Sequence, residues 1–181
     1  MNIVFVDNFA DVTHILDRIR KGMDDNVNCD KCLYSDNQEF LVLMDVDETM
    51  ITMKDKFLRP SASYAMKQLF NNIFKPITNP DNQIKLSKYI KQTEVILMDP
   101  TVPDIIKTLQ ERGVKVLGFT RMIPGAGKCG EIDSMEDNRR DELLNLGIDL
   151  RNDFLPDPFV IDLIEKDGRR PFYKDGIIYC Y

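Results

Sequence analysis

Residues 41–50 read LVLMDVDETM, four apolar residues running into Asp45, with Asp47, Glu48 and Thr49 close behind. A continuous apolar run of this kind marks a strand covered on both faces. That confines the chain to folds in which helices flank a sheet. Successive strand side chains point to opposite sides, so Asp45 and Asp47 start on one side. Where the strand ends and the backbone bends, the two carboxylates can approach one phosphorus from different directions. Asp45 is then placed to attack it and form an aspartyl-phosphate. Asp47 is placed to protonate the leaving oxygen and later to take a proton from water. Two adjacent anions and a phosphate call for a hard cation, most naturally Mg²⁺. The plainer reading of the same residues is a solvated acidic strand end.

The rest of the chain supplies the partners such a strand needs. NIVFV at 2–6 reads as a strand. Asp7 or Asn8 then caps a helix with Phe9, Val12, Ile15, Leu16 and Ile19 on one face and Gly22 as its stop. Residues 23–39 are polar and loop-like. SASYAMKQLFNNIF places Ala65, Met66, Leu69, Phe70, Ile73 and Phe74 at helical spacing, and LSKYIKQTEVILM reads as a helix, or a helix running into a strand. Thr101 is an N-cap candidate, Pro103 suits a first turn, Ile105, Ile106 and Leu109 form an apolar stripe, and Gly113 ends the helix. VKVLGFT follows as a second buried strand ending in Thr120, which predicts a right-handed crossover into a parallel sheet. Beyond the glycine-rich loop 121–133, Ser134 caps a helix reaching Leu146, with Gly147 after it. FYKDGIIYCY predicts a hairpin about Asp175-Gly176.

Charge and composition narrow the function. A net charge of -6 and a pI of about 4.9 argue against a general nucleic-acid binder, which needs a basic face. They leave room for a small phosphorylated substrate held through a metal and backbone N–H groups. No apolar run reaches the ~18 residues of a membrane span, and the N-terminus lacks the pattern of a signal peptide. Four cysteines, at 29, 32, 129 and 180, are too sparse for a disulfide framework, so a cytoplasmic setting is expected.

LVLMDVDETM resembles the first motif of the haloacid dehalogenase (HAD) superfamily, an apolar strand followed by Asp-x-Asp-x-Thr. VKVLGFT resembles its second, an apolar strand ending in Thr or Ser. The resemblance implies an α/β, Rossmann-like HAD core with a parallel sheet, built from residues 1–54 and 98–181, and a helical cap inserted after the first motif over 55–97. It implies a phosphatase in which Asp45 is the nucleophile and Asp47 the acid/base. Asp45 and the Asp47 carbonyl would hold Mg²⁺, while Thr49, Thr120 and Arg121 would serve the phosphate. The strand–helix before the first motif and the PFYKDGIIYCY segment resemble a bacterial HAD-like group known only as a domain of unknown function. A third-motif Lys and a fourth-motif acidic pair are not found. FVIDLIEKD offers Asp162, Glu165, Lys166 and Asp167, but it comes soon after Thr120 with no Lys before it; a solvated helix or loop accounts for it. IIYCY stops in mid-strand, which leads to the expectation that the C-terminal part of the core is missing.

Other features read as decoys. PGAGKCG departs from the phosphate-loop pattern at Met122 and Cys129. It reads better as the loop after the second motif, with Lys128 near the phosphate. Cys29 and Cys32 form one C-x-x-C without a second pair; Cys129 and His14 are unsupported as further zinc ligands. Lys174 reads as a turn residue. The alternative to a hydrolase is a catalytically incomplete HAD-like binding or interaction module, or a truncated remnant. The substrate and the oligomeric state are not written in the sequence.

Overall fold

The computed structural model describes residues 9–20, 40–56, 59, 88, 91–122, 125, 132–162 and 170–180. The expected strand at 2–6, the helix over 65–74, Cys29 and Cys32, Lys128 and Glu165–Asp167 lie outside these residues.

The N-terminal helix forms where the apolar stripe predicts it, as α1 (Phe9–Arg20). The acid-terminated run is β1 (Leu41–Asp45). A short β2 (Ile51–Met53) pairs antiparallel with β3 (Val95–Leu97), Ile51 opposite Leu97. The Lys54 N–H reaches the Glu94 carbonyl at 2.8 Å, so the segment between them leaves and returns at one point of this ribbon. Next come α2 (Val102–Glu111) and β4 (Lys115–Thr120), then α3 (Met135–Asn145), β5 (Phe159–Val160), β6 (Phe172–Lys174) and β7 (Ile177–Tyr179).

The main sheet runs β1-β4-β7-β6-β5. Its longest pairing, β1 with β4, is parallel with Asp45 opposite Phe119, and β7 adds to β4 in parallel. The remaining pairs are antiparallel, so the fold is mixed α/β around a largely parallel centre. Asp175 (φ 53°) and Gly176 (φ 82°) both take left-handed backbone, the requirement of the tightest hairpin turn, and they join β6 to β7 as the Asp-Gly signal predicts.

One continuous core joins Val12 and Leu16 of α1, Met44 and Val46 around β1, Ile106 and Leu109 of α2, Val116, Leu143, Ile148, Leu150, Ile177 and Tyr179. Gly118 admits this packing: a Cβ there would lie 2.9 Å from a Leu150 methyl and 3.1 Å from a Val46 methyl.

Two expectations need correction. β1 is not covered on both faces. Met44 is buried, but Leu41 and Leu43 are 54% and 53% exposed, because the helical core packs on the Met44 side. Nor does Thr101 cap α2 with its side chain. Its backbone is already helical, and its N–H and hydroxyl both donate to Asp99 Oδ1, at 2.8 and 2.7 Å. Asp99 does the capping work from two residues earlier.

Candidate active site

The site grows from the carboxyl ends of two neighbouring parallel strands, where α/β sheets bind their ligands. Beyond Asp45 the chain turns sharply. The Val46 N–H bonds the Phe119 carbonyl at 2.9 Å, keeping the turn tied to β4. Met50 and Ile51 N–H groups both return to the Val46 carbonyl at 3.1 Å, and Glu48 sits in left-handed backbone (φ 61°). This loop carries Asp47 over the end of β4, where Thr120 lies fully buried.

Asp45 and Asp47 have different surroundings. The Thr49 hydroxyl donates to Asp45 Oδ2 at 2.8 Å and fixes that carboxylate from within its own turn. Asp47 is held from outside the turn. Thr120 Oγ1 donates to Asp47 Oδ2 in a short hydrogen bond and itself accepts from the Met122 N–H at 3.1 Å. Arg139 Nη2 donates to Asp47 Oδ1 at 2.8 Å.

Arg139 was not anticipated. It is buried on α3, and its second arm lies 3.0 Å from Glu142 Oε2, an ion-pair contact that does not amount to a hydrogen bond. Burial raises the Glu142 pKa; Arg139 and a 2.8 Å hydrogen bond from Asn138 oppose that shift, and the negative charge of Asp47 adds to it. The helix reaches the site because its first turn is anchored. Ser134 Oγ accepts from the Asp137 N–H at 3.1 Å, as the cap signal predicts. Gly125 is clasped to the first turn through Glu136 Oε2 and the Met135 N–H. Buried Tyr179 of β7 donates to the Glu136 carbonyl at 3.3 Å, and its phenol pKa is driven well above the usual range by desolvation. The sequence did hold a signal for Arg139. Met135, Arg139 and Leu143 recur at i, i+4 and i+8, so the arginine occupies a position on the buried stripe.

An open cavity of about 90 Å³ borders this network, lined by Asp47, Glu48, Ile51, Thr52, Met53, Val95 and Arg139. Two of its residues hold buried polar atoms with no partner, Thr52 Oγ1 and Arg139 Nε. An unbonded buried hydroxyl costs about 1–3 kcal/mol.

Other expected residues fall elsewhere. Arg121 is exposed directly after Thr120, and Lys174 donates to Asp137 at 2.8 Å on the hairpin. Asp162 stands in solvent, 3.4 Å from Arg170. His14 is exposed. Among the described residues no three His, Cys, Asp or Glu side chains gather on one point, and no helix is long and apolar enough to cross a membrane.

Residues 6–181 match the family described as Protein of unknown function (DUF2608). The chain belongs to that family. Neither a curated protein nor a solved structure matches it. In this DUF2608 member, an acidic turn, a buried threonine and a buried arginine meet at one sheet end.

Proposed function

We propose that this site hydrolyses small phosphomonoesters, on a Rossmann-like core of the HAD type. The observation that carries the reading is the convergence of Thr120 and Arg139 on Asp47, two residues beyond Asp45, at the carboxyl ends of β1 and β4. Asp45 attacks phosphorus as the bond to the leaving oxygen breaks, and Asp47 gives that oxygen its proton. Water then attacks the phosphorus and loses a proton to Asp47. The bond to Asp45 breaks, releasing inorganic phosphate. As substrate enters, the Thr120 hydroxyl turns from Asp47 to the phosphoryl group and frees Oδ2 for proton transfer. Arg139 keeps the opposite oxygen fixed.

The Asp45 carboxylate and the Asp47 carbonyl suit Mg²⁺, which keeps several waters and draws further oxygens from a bound phosphate rather than needing an all-protein cage. When bound, the ion supplies charge neutralisation for the phosphoryl oxygens. The acidic net charge favours a small molecule over nucleic acid as partner.

The test is Mg²⁺-dependent release of phosphate from a generic phosphomonoester. Asp45→Asn is expected to cut the rate by roughly a thousandfold or more. Full activity in that variant, or none in the wild type, sinks the mechanism. One observation favours a second reading, a catalytically incomplete binding module: both Asp47 oxygens are already taken. A module with only two metal donors binds Mg²⁺ weakly, so tight Mg²⁺ binding measured by calorimetry counts against it.

A further inference from the structure

The cavity beside Asp47 is walled on one side by the β2–β3 ribbon, through Ile51, Met53 and Val95, and Thr52 lies among these apolar residues. Thr52 is 6% exposed and its hydroxyl is unpartnered. Valine has the same shape and the same preference for a strand, and would leave no polar atom stranded there. Arg139, which bonds the other Asp47 oxygen from the one Thr120 bonds, also lines the cavity, and its Nε is buried without a partner. An open cleft with unspent hydrogen-bonding groups in its lining residues and an apolar wall has the makeup of a ligand pocket. A side chain that already lines the cavity needs at most a rotamer change to present its hydroxyl.

Size limits the ligand. A cavity of roughly 150 Å³ accommodates benzene, and one water takes a share of about 30 Å³. The 90 Å³ beside Asp47 therefore seats a skeleton of only a few atoms, and a nucleoside or an aromatic ring system would have to stand out through its open side.

We infer that this cavity is the leaving-group subsite, and that it selects the monophosphate of a short aliphatic polyol. The carbon skeleton lies against Ile51, Met53 and Val95, and a free hydroxyl of the substrate bonds Thr52. Asp47, at the cavity edge, faces the ester oxygen that must be protonated. The inference rests on the hydrolase reading and adds to it the substrate class and the residue that chooses it.

The experiment compares 3-hydroxypropyl phosphate, propyl phosphate and 1-naphthyl phosphate as substrates for the wild-type chain, Thr52→Val and Thr52→Ser, with Mg²⁺ present. The wild type is expected to prefer the hydroxypropyl over the propyl ester roughly tenfold in kcat/KM, one hydrogen bond's worth. The naphthyl ester is expected to be poorest. Thr52→Val is expected to bring the hydroxypropyl/propyl ratio to about one, acting through KM, and Thr52→Ser to keep it. A ratio unchanged in Thr52→Val, or a naphthyl ester turned over fastest, overturns the assignment.

A binding arm separates this from failure of the hydrolase reading. Amide NMR shifts at residues 51–53 are followed in Asp45→Asn as 3-hydroxypropyl phosphate is added. Saturable shifts that Thr52→Val weakens, with no turnover by the wild type, refute the hydrolase and keep the subsite. No saturable shift at 51–53 refutes the subsite.

Discussion

At the scale of single residues, the site depends on one buried cation between two acids. Arg139 contacts Asp47 and Glu142 at 2.8 and 3.0 Å. Removing one member of a buried ion group leaves its partners uncompensated, at a cost of 3–5 kcal/mol when all are fully buried. The Asp47 side chain is 37% exposed, so Arg139→Met is expected to cost about 2–3 kcal/mol in denaturant unfolding. The double variant Arg139→Met, Glu142→Leu should lose less than the single one, because the second change removes the stranded carboxylate. An additive result would mean that Glu142 does not depend on Arg139. Asp45, Asp47 and Thr120 were legible in the sequence because each stands where an apolar run ends in a polar group. Arg139 was harder to read. A charged residue on a helix is read as solvated by default, and only its spacing from Met135 and Leu143 marks it as buried.

At the scale of elements, α3 and the β6–β7 hairpin are fastened by charge. Asp137 accepts from Lys174 and from Arg140, each at 2.8 Å, and Arg140 also reaches Asp175 at 3.1 Å. The Asp137 pKa is lowered, first by the hydrogen bond from Lys174 and then by Ser134. A carboxylate depressed in the fold contributes stability above its unfolded value of about 3.9, and that contribution is lost as pH falls through the folded value. Lys174→Met is therefore expected to lower Tm at pH 7 and to differ least from wild type near pH 2. An equal deficit at both pH values would mean that lost packing, not charge, is responsible. Gly176 tests the hairpin by shape. A Cβ there would fall 1.9 Å from the Leu150 carbonyl oxygen in a left-handed backbone, so Gly176→Ala should destabilise by more than the ~1–2 kcal/mol of the conformational cost alone. Thermal unfolding reads this directly. Asp-Gly announced the turn, but not that β7 would lie against β4. Pairing partners are chosen by tertiary packing, which local sequence does not encode. The Thr101 cap misled for a related reason. Asp99 and Thr101 are both good capping residues, and the backbone conformation of the turn decides between them.

At the scale of the whole molecule, an exposed apolar patch lies at the β1 edge of one sheet face, while Leu117 and Tyr173 of the same face are buried. Leu41 and Leu43 of β1, with Phe119 of β4, remain substantially exposed, while Met44 and Val116 on the other face are buried. Leu43→Thr is expected to change stability by less than about 0.5 kcal/mol, as surface substitutions usually do, and to reduce concentration-dependent association seen in sedimentation. A large loss of stability would show that Leu43 supports the fold. The apolar run at 41–44 promised coverage on both faces because periodicity records hydrophobicity and not which neighbour supplies the cover. The strand order has a consequence of another kind. Of the five described strands of the main sheet, β7, which lies between β4 and β6, is the last to leave the ribosome. Until residues 177–179 emerge, β4 lacks its second neighbour and Tyr179 is not yet beneath α3. The nascent chain therefore displays its two aspartates, and later its arginine, before the strand that closes the sheet's centre is made, and chaperones have that interval in which to meet the open edge.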